Sequence, residues 1–87
     1  MTEKELENRV ENYLKKNNIV YIENTIKYGG KRENRQDKNK SFHIVFFHTE
    51  IIKNDPLSYS IDSILFDDES NRMEYFLNSQ ILKKIQE

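Results

Sequence analysis

Between Phe42 and Phe47 the chain reads Phe-His-Ile-Val-Phe-Phe, and this stretch restricts the possible folds more than any other. A strand sends successive side chains to opposite faces, so Phe42, Ile44 and Phe46 line one side while His43, Val45 and Phe47 line the other. A strand that is apolar on both sides belongs in the interior of a sheet and needs cover above and below. Its pattern predicts a strand over residues 42–52, running on through His48 and Glu50 to Ile51-Ile52.

Supplying that cover is demanding for 87 residues with no cysteine, because packing has to do what a disulfide frame does in other small domains. The chain is 36% apolar and 33% charged, and its five Phe and five Tyr supply the bulk for one small core. This predicts a single domain over residues 1–87. The absence of cysteine suits a reducing, cytoplasmic setting. The apolar runs are far too short to cross a bilayer, and Met1–Lys16 is too charged for a signal peptide, so no membrane association is expected.

Thr2 followed by Glu5 is a capping-box pattern, and Leu6, Val10, Tyr13 and Leu14 then recur at helical spacing, predicting a helix over 3–17. Ile19-Val20-Tyr21-Ile22 with Thr25, Ile26 and Tyr28 predicts a strand that Gly29-Gly30 ends. From Lys31 to Lys40 no side chain is apolar, which predicts an exposed basic loop at 30–41. Asn54-Asp55-Pro56 is turn chemistry, and Tyr59 to Phe66 alternates as a further strand. After Asp67-Asp68-Glu69-Ser70, the residues Met73, Phe76, Leu77, Ile81 and Ile85 follow a helical stripe, predicting a closing helix over 71–86. The competing reading makes Asn71–Leu77 a fourth strand, with a short helix only after Ser79.

The fold class expected is therefore α+β: an N-terminal helix, a three-stranded (or four-stranded) antiparallel sheet, and a C-terminal helix packed on one face. Its core would set Phe42, Ile44, Phe46, Ile61 and Ile64 against Leu6, Val10, Leu14, Phe76, Leu77 and Ile81. Double-stranded RNA-binding domains share this element order, but they open the second helix on lysines that meet phosphates. Here that position reads Asp67-Asp68-Glu69-Ser70-Asn71-Arg72, which repels them, so no family follows from element order.

Charge is unevenly spread along the chain. Residues 27–40 carry six basic and two acidic side chains, residues 50–74 carry seven acidic and two basic, and the total is only −1. Lys31, Arg32, Arg35, Lys38 and Lys40 could track a phosphate backbone, with Tyr28 beside them to stack on a base. Asp62, Asp67, Asp68, Glu69 and Glu74 could instead imitate phosphate spacing and occupy a basic groove on another protein.

Catalytic chemistry is harder to assemble. His43 and His48 differ by an odd number and point to opposite faces of one strand, so they cannot share a metal. Glu50-Ile51-Ile52-Lys53 is similar to the acid-x-Lys element of magnesium nucleases, but its extra residue aims the two side chains apart. Gly29-Gly30 leads into no phosphate-binding Lys-Ser or Lys-Thr, and no cofactor or metal is expected.

By elimination the sequence favours a non-catalytic macromolecule-binding protein. Its main form is a stoichiometric inhibitor of a nucleic-acid-handling enzyme or its ribonucleoprotein complex, of the kind anti-CRISPR proteins represent. Phe, Tyr, Met, Ile, Asn and Lys make up 42 of 87 residues, an AT-rich codon bias that suits a phage or mobile element. The alternatives are a small RNA- or DNA-binding module using the loop 31–40, and a small metal-dependent nuclease. Monomer and homodimer both remain open.

Overall fold

The computed structural model describes residues 2–33, 40–50, 57–78 and 82–85. Helix α1, Glu3–Lys16, starts where its capping residues require: the Thr2 hydroxyl accepts the Glu5 N–H at 3.1 Å. Acidic residues Glu3 and Glu5 sit in the first turn and Lys15 and Lys16 in the last, matching the helix dipole. Leu6, Val10 and Leu14 form its buried stripe. Asn17 donates its N–H to the Tyr13 carbonyl, and Asn18 takes the left-handed conformation at φ 56°, which turns the chain back so that the Ile19 N–H reaches the Leu14 carbonyl at 2.9 Å.

Five strands follow as one antiparallel meander: β1 Lys27–Glu33, β2 Ser41–Glu50, β3 Tyr59–Asp67, β4 Met73–Leu77 and β5 Leu82–Lys84, in the spatial order β1-β2-β3-β4-β5. The fold is α+β as expected, but the C-terminal helix is replaced by β4 and β5, and the sheet has five strands rather than three or four. Two local features redirect the chain. Asp67 closes a turn by accepting both the Ser70 N–H and the Ser70 hydroxyl, at 2.9 and 2.7 Å, and Asn71 adopts φ 58°. Ser70 is thereby spent on the turn and caps no helix. The β3–β4 register then shifts between Leu65 and Phe66, so that Met73 and Phe76 both reach the core side although they lie three apart. A bulge in a strand has reproduced the spacing of a helix.

The first strand also differs from expectation. It begins at Lys27 instead of Ile19 and runs through Gly29-Gly30, which form an irregularity inside the β1–β2 hairpin. Gly29 lies beneath the Phe46 ring, where any Cβ would strike it, and Gly30 holds φ 105°. Lys31 and Arg32 therefore sit on a strand and not in the loop predicted at 30–41. Arg35 and Lys38 lie outside the described residues, as do Asn54-Asp55-Pro56, Ile51-Ile52 and Ile81.

The core forms on the other face of β2 from the one expected. Val45 and Phe47, with Ile64 and Phe66 of β3, meet Leu6, Val10 and Leu14, and Met73 and Ile85 close the end. Ile85 is held there by its N–H on the Glu74 carbonyl at 2.8 Å. Phe42, Ile44, Phe46 and Ile61 face away from α1, and Ile61 is 54% exposed. Ile64 alone among the five sheet residues expected under the helix is there. Alternation could not choose the side, because β2 is apolar on both.

Candidate functional site

The two charged stretches of the sequence meet in space. β1 and β2 bring Lys31 opposite His43, and the Asp68 N–H donates to the Ser41 carbonyl at 3.0 Å, setting the β3–β4 turn beside the base of the basic hairpin. Here four side chains form one chain of contacts. Lys31 Nζ lies 2.7 Å from Asp68 Oδ2, Asp68 Oδ1 lies 2.7 Å from His43 Nε2, and His43 Nδ1 lies 2.8 Å from the Tyr28 hydroxyl. With Nε2 facing a carboxylate, that nitrogen carries the proton, and in the neutral ring Nδ1 accepts the Tyr28 O–H. Tyr28 is held at its other end as well, since its backbone N–H donates to Glu7 Oε2 of α1 at 2.9 Å.

The electrostatics follow from these contacts. The Lys31 ammonium, with a contribution from His43, holds the Asp68 carboxyl below its ordinary range, and Asp68 in turn raises Lys31. Asp67 is lowered by the Ser70 hydroxyl and backbone N–H of its turn. These groups are exposed to solvent, so their pairing orients the surface more than it stabilises the fold.

The sequence-predicted patches are therefore redistributed. Of the basic set, Tyr28 and Lys31 enter the chain of contacts, Arg32 and Lys40 stand exposed nearby, and Arg35 and Lys38 lie outside the described residues. Of the acidic set, Asp67, Asp68 and Glu69 share the turn, with Glu69 exposed. Glu74 sits at the β4 irregularity, and Asp62 leaves the surface altogether. It is 6% exposed, placed opposite Phe47 on the core side, and accepts from the Ser60 hydroxyl at 2.9 Å and the Thr49 hydroxyl at 3.3 Å. A buried carboxylate needs such donors, and alternation along β3 leaves it no outward position.

His43 was not foreseen as a member of any site, because its partners lie 15 and 25 residues away in sequence. The one available signal was the even spacing from His43 to Val45 and Phe47, which puts it on the face that turned out to be the core side. His48 stands on the opposite face, stacked on Tyr59 with ring centroids 4.6 Å apart. Among the described residues no three His, Asp or Glu side chains gather to hold a metal, and Lys53 of the nuclease-like stretch lies outside them. A hydroxyl, an imidazole and a carboxylate in series have the order of nucleophile, base and orienting group. In this state, however, each satisfies the next, and the chain fastens the hairpin to the turn.

No helix among the described residues is long and apolar enough to cross a membrane. No family model, curated protein or solved structure matches the sequence or the fold.

Proposed function

We propose that this chain is a non-catalytic protein-binding domain, acting stoichiometrically, whose recognition surface is the charged end of the sheet around Arg32, Lys40, Asp67, Asp68 and Glu69. The observation that carries this reading is the Lys31–Asp68–His43–Tyr28 chain, which fixes acids and bases side by side on one surface. A polyanion gains from the bases and is repelled by the acids between them, whereas a protein with complementary stripes engages both. Inhibition of a nucleic-acid-handling enzyme is the form of this reading that uses Asp67 and Glu69 in place of phosphates, in the manner of an anti-CRISPR protein.

The test compares capture with nucleic-acid binding. The full chain should retain a protein from a lysate, and exposed-site variants Glu69→Lys and Lys40→Glu should each weaken that retention, while neither DNA nor RNA is shifted at low salt. If it instead binds nucleic acid steeply dependent on salt, and Lys40→Glu abolishes this while Glu69→Lys strengthens it, the protein-binding reading fails in favour of the nucleic-acid one.

A further inference from the structure

We draw no further inference here: the strongest candidate, the groove between α1 and β4 lined by Arg9, Asn12, Tyr13, Lys16 and Met73, has its Arg9 guanidinium already engaged by the Asn71 carbonyl and the Phe66 ring, and nothing in the structure shows what would fill it.

Discussion

Asp68 bridges Lys31 and His43, and its pairing with Lys31 carries a pH dependence whose direction follows from the two partners. Asp68 is held below the ordinary carboxylate value of 3.8 by Lys31, and Lys31 is raised above 10.5 by Asp68. The Asp68 contribution is in place above the unfolded value and lost as pH falls through the lower folded one. The Lys31 contribution is in place below 10.5 and lost as pH rises through the higher folded one. The pair is thus at full strength across the neutral range and fails first in acid. Asp68→Asn should lower the urea midpoint at neutral pH by a small amount, and the gap to wild type should close once the medium is acid enough to protonate Asp68. A gap that persists undiminished in strong acid would mean that shape, and not charge, is what Asp68 supplies. Tyr28, Lys31 and Asp68 were each visible in the sequence as charged or stacking candidates. What could not be seen is that Lys31 and Asp68, assigned to opposite patches, bind each other, because the hairpin register that joins them depends on a two-glycine irregularity.

Among the elements, α1 was the most legible because its evidence is local: a cap, a dipole-matched charge order and one apolar stripe all fall within sixteen residues. This separates two kinds of contribution. Thr2→Ala removes one capping hydrogen bond and should cost about 1 kcal/mol. Leu14→Ala opens a cavity under the sheet and should cost about 2–5 kcal/mol, both read as shifts in the urea midpoint at constant slope. Equal costs would mean that packing of α1 on Val45 and Phe47 contributes no more than its end. In the C-terminal third the closing helix expected over 71–86 gives way to the competing strand over Asn71–Leu77, which forms as β4, for an equally physical reason. Met73 and Phe76 satisfy the helical spacing, but the strand bulge satisfies it too, and only the partner strand β3 decides between them. Tertiary pairing overrode the local pattern there, as it did for Gly29-Gly30, which read as a terminator and serves as space for the Phe46 ring.

For the molecule as a whole, the opening observation about Phe42–Phe47 carries further than the elements it predicted. The expected core set both helices against one side of the sheet, that of Phe42, Ile44 and Phe46, although the strand is apolar on both. Among the described residues the structure provides one helix, on the Val45 and Phe47 side, together with a five-stranded sheet whose neighbours are all consecutive in the chain. On the face away from α1, Ile44 and Ser63 are only 8% and 4% exposed, and Phe42 meets Tyr75 edge-on with ring centroids 5.9 Å apart, so neighbouring side chains of the same chain supply cover at its centre. Ile44→Ala should therefore cost about 2–5 kcal/mol, on the scale of a core position, while Ile61→Ala, at a residue 54% exposed on the same face, should cost much less, both read as urea midpoints. Equal costs would mean that this face is no better packed at its centre than at its end.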